Sequence, residues 1–118
     1  MITAVKQLAE SWWKPEEGEE TEFLLSPLSQ IDYIAAMNLG KSKFIEGSGF
    51  AFLPDRDGIQ FILSKGLRGW KNFKYEDGSD VEFTIKNIDM VPAEYLGMIV
   101  AEILQRSSIR PELKKSSE

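Results

Sequence analysis

The chain contains neither cysteine nor histidine. Without cysteine there is no disulfide framework, no thiolate nucleophile and no sulfur-based metal site, a usage that fits a reducing compartment and gives secretion no support. Without histidine the usual general base near neutral pH and the commonest metal ligand are both missing, which excludes most hydrolase designs. Long apolar runs are lacking too. None approaches the roughly 20 residues needed to cross a bilayer, and Met1 to Trp13 is too short and too polar for a signal peptide. Positive charge is in deficit: 14 basic residues against 19 acidic ones leave a net charge of −5, a field that repels phosphate backbones and anionic membranes. Neither nucleic acid nor membrane is an expected partner, and a cytoplasmic location is expected.

What the chain does have is enough to fold. Its 118 residues are 42% hydrophobic, with three Trp, three Tyr and seven Phe, which is room for one core and far from the composition of disorder. A single domain is expected over residues 1–109. Beyond it, residues 110–118 are polar, contain Pro111 and lack apolar periodicity, so a disordered tail is expected there.

Local signals divide the domain. Ile2, Val5, Leu8, Ala9 and Trp12 follow helical spacing, which predicts a helix over residues 2–12. Lys14 to Glu22 carries five carboxylates around Pro15 and Gly18 and reads as a solvated loop. Phe23-Leu24-Leu25, flanked by that loop and by Pro27, reads as a strand that is short or lies at an edge. Ser29 with Asp32 forms a capping box, with Leu28 and Tyr33 placed as a hydrophobic staple, so a helix follows over Gln30 to Leu39 and closes at Gly40. Lys41 to Asp57, with Phe44, Phe50, Phe52 and Leu53 around Gly47-Ser48-Gly49, is compatible with a long loop or an irregular hairpin. Pro54 and the Asp55/Asp57 pair open a helix through Ile59, Ile62 and Leu63 that ends around Gly66 to Gly69. Period-two alternation through Phe73, Tyr75, Val81, Phe83 and Ile85 about Asp77-Gly78 predicts a hairpin. Thr84 is placed to cap a short turn through Ile88 and Met90. The last helix, after Pro92, carries Leu96, Ile99, Val100, Ile103 and Leu104 on one stripe. The fold class expected is therefore α+β, predominantly helical, with about four helices, a short N-terminal strand and a small β-hairpin.

The constellations that could carry chemistry are few. The Glu16 to Glu22 run lacks the alternating ligand spacing of a calcium loop; its alternative to a solvated loop is a strip for docking a basic partner. Lys65, Arg68, Lys71 and Lys74 recur every third residue, for which cations near a helix C-terminus are sufficient reason. Gly47-Ser48-Gly49 fails the spacing of a phosphate-binding loop. No serine has a recognisable base, so no catalytic residue, cofactor or metal is expected, and the chain is expected not to be an enzyme. The aromatics Trp12, Trp13, Trp70, Phe73 and Tyr75 fall at element ends and turns, and residues of this kind are enriched at protein interfaces. They are the partner-binding candidates, with burial in the chain's own core as the alternative.

The run Leu67-Arg68-Gly69-Trp70-Lys71-Asn72-Phe73, then Asp77-Gly78, Val81-Glu82-Phe83-Thr84 and Asn87-Ile88, resembles a pattern of the tail assembly chaperones of tailed bacteriophages. Phe23-Leu24-Leu25-Ser26-Pro27-Leu28-Ser29 looks like that family's apolar strand entering a capped helix, so the resemblance spans most of Phe23 to Ile109; Phe44 to Leu53 departs from it. The resemblance implies a non-catalytic protein that binds the tape measure protein in the host cytoplasm and helps recruit tail tube subunits; it leaves self-association open. It also implies a longer frameshifted product, with Lys114-Lys115 as the place where an A-rich slip site would be encoded. Two other readings remain at this point: a minor structural protein of the phage head-tail joint or tail, and an acidic inhibitor that mimics nucleic acid against a host enzyme.

Overall fold

The computed structural model describes residues 1–4, 9–47 and 49–108. Within them the chain forms β1 (Ser11–Trp13), β2 (Glu22–Leu25), α1 (Gln30–Met37), β3 (Gly40–Ile45), β4 (Gly49–Pro54), α2 (Arg56–Gly66), β5 (Leu67–Lys71), a 3-10 turn (Lys86–Met90) and α3 (Ala93–Ser108). The expected helix-dominated layout of four helices is thus corrected. Three α-helices accompany five strands in two small sheets, of strand order β1-β2-β5 and β3-β4.

The missing helix is the first. Ser11–Trp13 pairs antiparallel with β2 in the register Ser11↔Leu25, Trp12↔Leu24 and Trp13↔Phe23, while residues 5–8 lie outside the described residues. Helical spacing over so short a window competes with the preference of two adjacent tryptophans for a half-buried pleated surface. Pairing wins here because it gives β2 a second neighbour. The strand expected to be short or at an edge is short but central, bonded on its other side to β5 through Glu22↔Lys71, Phe23↔Trp70, Leu24↔Gly69 and Leu25↔Leu67, with a bulge between Leu24 and Leu25. Pro27 lies beyond the paired residues and costs the ladder nothing.

The α1 helix starts at the predicted Ser29 cap, whereas Pro54, expected to open the next helix, ends β4 and Asp55 caps α2. The Ser29 hydroxyl accepts from the Asp32 N–H at 3.1 Å, and the Asp55 carboxylate accepts from the Gly58 N–H at 2.8 Å, each satisfying a donor that the first turn leaves open. In the segment expected to be a long loop or an irregular hairpin, β3 and β4 pair antiparallel at six positions, from Gly40↔Pro54 to Ile45↔Gly49. The expected hairpin at Phe73 to Phe83 shrinks to a single bridge, Lys74↔Asp80. Val81 donates to the Phe73 carbonyl at 2.9 Å, but its own carbonyl accepts from the Trp70 indole at 2.7 Å, so the ladder loses its next rung to a side chain.

The core joins Phe23 and Leu25 of β2, Leu28, Ala36 of α1, Ile62 and Leu63 of α2, Leu67, Val91, and Ile99, Val100 and Ile103 of α3. The α2 and α3 helices come so close at Gly66 that a Cβ there would sit 2.6 Å from the Ile103 Cγ2, so only glycine fits. Of the stripe expected on α3, Ile99, Val100 and Ile103 are buried and Leu96 and Leu104 are half-buried. The stripe continues at Ser107, fully buried, whose hydroxyl donates to the Ile103 carbonyl at 2.6 Å and accepts from the Leu28 N–H at 2.8 Å. Ser107→Ala leaves that buried N–H without an acceptor and is expected to cost about 1–3 kcal/mol, read as a lower urea midpoint at unchanged slope. A midpoint equal to wild type would show that the bond contributes nothing. The expected tail at residues 110–118 and the slip-site pair Lys114-Lys115 lie outside the described residues.

Candidate functional site

The five aromatic candidates separate into two groups. Trp13, Phe23 and Trp70 are cross-strand neighbours in one row of the β1-β2-β5 sheet, and Phe73 packs beside them. Ring centroids lie 6.4 Å apart for Trp13 and Phe23, 6.3 Å for Phe23 and Phe73, and 5.0 Å for Trp70 and Phe73. Trp70 and Phe73 meet edge-to-face and the other two pairs are tilted, and aromatic packing of this kind holds a fold together. Trp13, Trp70 and Phe73 are therefore engaged inside the domain, whereas Trp12 and Tyr75 are 43% and 44% exposed. Trp12 lies on the other face of the sheet with Leu24, and the Lys71 ammonium sits 4.5 Å from its ring while pairing with Glu22 at 3.2 Å.

The charge patterns disperse as well. Lys71 pairs with Glu22, Lys74 with Asp80 at 2.8 Å and Arg68 with Glu10 at 3.8 Å, because the every-third spacing runs off α2 onto a strand and a loop and so shares no face. Lys65 stays on α2, 5.9 Å from the Phe61 ring. In the carboxylate run, Glu19 accepts from the Glu20 and Thr21 N–H groups, and Glu16 accepts from the Tyr95 hydroxyl at 3.5 Å. The Glu16 charge is the main reason the Tyr95 phenol is pushed above its ordinary value, with burial adding to it. In the tight turn, the Ser79 hydroxyl and N–H both donate to Asp77 and hold its carboxyl below the ordinary value. Among the described residues no set of three or more acidic side chains converges as a metal site, and no helix is long and apolar enough to cross a membrane.

A wide concave surface lies elsewhere, between the outer side of α2 and the segment that carries the 3-10 turn. It has a volume of about 980 Å³ and is lined by Ile59, Phe61, Leu63, Ile85, Ile88 and Leu96, with Arg56, Lys86 and Asp89 among its polar neighbours. A second depression of about 220 Å³ shares Leu63, Ser64, Ile85 and Ile88 and adds Leu67, Arg68 and Phe83, so the two form one trough along α2. Comparison with protein-family models, curated proteins and solved structures finds no match. The trough must therefore be read from its own chemistry.

Local structure explains its shape. The Asp55 cap starts α2 so that Ile62, Leu63 and Gly66 face the core while Ile59 is left partly exposed. The Thr84 hydroxyl accepts from the Asn87 N–H at 3.1 Å and turns the chain there, burying one side of Ile88 and leaving Ile85 83% exposed. An isoleucine this exposed forgoes about 1.5–3 kcal/mol that burial would return. Ser64 is the trough's hydroxyl, and it donates to the Phe61 carbonyl at 2.8 Å. What the arrangement offers is apolar surface with a charged rim, the equipment of a binding groove.

Sequence reasoning missed this site for two identifiable reasons. Spacing groups Ile59 with Ile62 and Leu63 on one helix, and alternation places Ile85 at the end of a hairpin that shrinks to a single bridge. The signal that could have found it was Thr84-Ile85-Lys86-Asn87, where the Thr84 cap just before Ile85 turns the chain and puts that isoleucine outside the turn.

Proposed function

We propose that this chain is a non-catalytic, protein-binding domain that serves as a tail assembly chaperone of a tailed bacteriophage, holding apolar helical stretches of the tape measure protein in the host cytoplasm and helping to recruit tail tube subunits. The observation that carries the binding part is the open apolar trough, with Ile85 standing 83% exposed at its wall on a domain of net charge −5. A client with exposed apolar stripes is matched by such a groove, and the surplus of negative charge keeps the complex dispersed. The order of the motifs from Phe23 to Ile88 supports the family part. Mimicry of nucleic acid is disfavoured, because Glu16, Glu19 and Glu22 are turned toward Tyr95, their own loop and Lys71. A minor structural protein would stay in purified virions, whereas a chaperone leaves.

The experiment is co-expression with the tape measure protein of a tailed phage, the client this reading names. The soluble fraction of that client is expected to rise several-fold with the wild-type chain and to fall back with Ile85→Asp, a change at an exposed position that leaves the thermal melt of the domain where it was. A client equally insoluble with and without the chain would sink the chaperone reading.

A further inference from the structure

The trough differs in charge from the molecule that carries it. Three cations line it, Arg56, Arg68 and Lys86, against the single carboxylate Asp89, on a chain whose acidic residues outnumber its basic ones. Arg56 and Lys86 have no ion-pair partner among the described residues, and Arg68 has only the loose, half-exposed contact with Glu10 at 3.8 Å. Arg56 is the first residue of α2, which rises about 15 Å to Gly66 at 1.5 Å per residue, and Arg68 follows two residues later in β5, so the two cations stand at opposite ends of the trough. Lys86 stands on the opposite wall, next to Ile85.

The backbone of α2 is hydrogen-bonded within the helix, so along α2 the trough presents no strand edge to be extended, and the edge strand β5 contributes only Leu67 and Arg68 at one end. Whatever docks there must bring side chains and satisfy its own main chain, which a helix does. We infer that the trough between α2 and the 3-10 turn is the docking site for an acidic amphipathic helix of about three turns on a partner protein, its apolar stripe against Ile59, Ile85 and Leu96 and its flanking carboxylates on Arg56, Arg68 and Lys86. The inference rests on the protein-binding reading and adds the chemistry of the partner. Basic helices are rejected by the same rim.

The test uses the full chain and two fluorescein-labelled 15-residue peptides, both capped at their ends, with leucine at helical i, i+3, i+4, i+7 and i+11 positions. One carries glutamate on the flanks and the other lysine. By fluorescence anisotropy the glutamate peptide is expected to bind at least about tenfold more tightly at 10 mM salt, with the gap narrowing by 150 mM as the screening length contracts from about 30 Å to about 8 Å. Arg56→Glu combined with Lys86→Glu is expected to reverse the preference, and Ile85→Asp to weaken the glutamate peptide at least about tenfold, circular dichroism confirming that both variants are folded. Equal affinity for the two peptides, or a glutamate peptide indifferent to Ile85→Asp, overturns the inference. If neither peptide binds while the chain still keeps its client soluble, the inference falls and the chaperone reading stands. If the glutamate peptide binds through Ile85 while the client stays insoluble, the inference stands and the chaperone reading falls.

Discussion

Ile103→Asp is expected to unfold the domain. Ile103 is fully enclosed, pressed against Gly66 of α2, and lies between Ile99 and Ser107 on the buried face of α3. Removing the branched side chain alone sacrifices about 2–5 kcal/mol in transfer and cavity terms. Placing a carboxyl in the same space adds the cost of burying it, several kcal/mol more whether the group ionises without a partner or stays protonated. A domain of this size has about 5–15 kcal/mol to lose. The expected result is loss of the cooperative thermal transition and of near-ultraviolet circular dichroism at 25 °C. A melt within a few degrees of wild type would refute the placement of α3. The same change at Leu96 separates the two ends of the helix. Leu96 belongs to the stripe by spacing, yet it is half-buried at the lip of the trough, where an aspartate reaches water. Its expected cost is about 1–2 kcal/mol, in the ordinary range for single substitutions.

That contrast shows what spacing can and cannot tell. The period of α3 identifies a helix and one apolar stripe, but not how far the neighbouring elements cover it. Ser107 completes the buried line although it is polar, since its use depends on a Leu28 N–H brought there from 79 positions away. Caps are readable because both partners lie within three residues, as at Ser29 and Thr84. The first strand was not, because the choice between helix and strand for Ser11–Trp13 is made by β2, and Arg106 of α3 then fastens it by donating to the Ser11 hydroxyl at 2.7 Å. The trough was hidden for the same reason. Its walls come from two segments whose exposure is decided where they meet: the Thr84 cap is a local hint that Ile85 turns outward, but no such sign marks Ile59. Alternating residues from Phe73 to Phe83 pointed to a ladder, and one indole redirected the carbonyl that the ladder needed.

Trp70→Ala is the second large expected effect, and it bears on whether the aromatics are anchors for a partner or for the fold. The Trp70 ring meets Phe73 at 5.0 Å, Phe83 at 4.8 Å and Phe23 at 6.5 Å, each near edge-on, and its N–H holds the Val81 carbonyl at 2.7 Å. Truncation to alanine removes all four contacts and is expected to cost about 3–5 kcal/mol. Trp70→Phe keeps part of the ring packing and loses the indole donor, with an expected cost of about 1–3 kcal/mol. Hydrogen exchange distinguishes this from general loosening: the Val81 N–H, bonded to the Phe73 carbonyl, should lose protection in the phenylalanine variant while α1 amides keep theirs once global stability is accounted for. Phe83 forms part of the trough wall, so the same variant should also weaken the acidic helix peptide by several-fold, an effect transmitted through Phe83 and absent from Trp12→Ala. A phenylalanine variant with wild-type stability, wild-type protection at Val81 and wild-type peptide affinity would show that Trp70 fastens nothing, and would return it to the surface as a contact for something else.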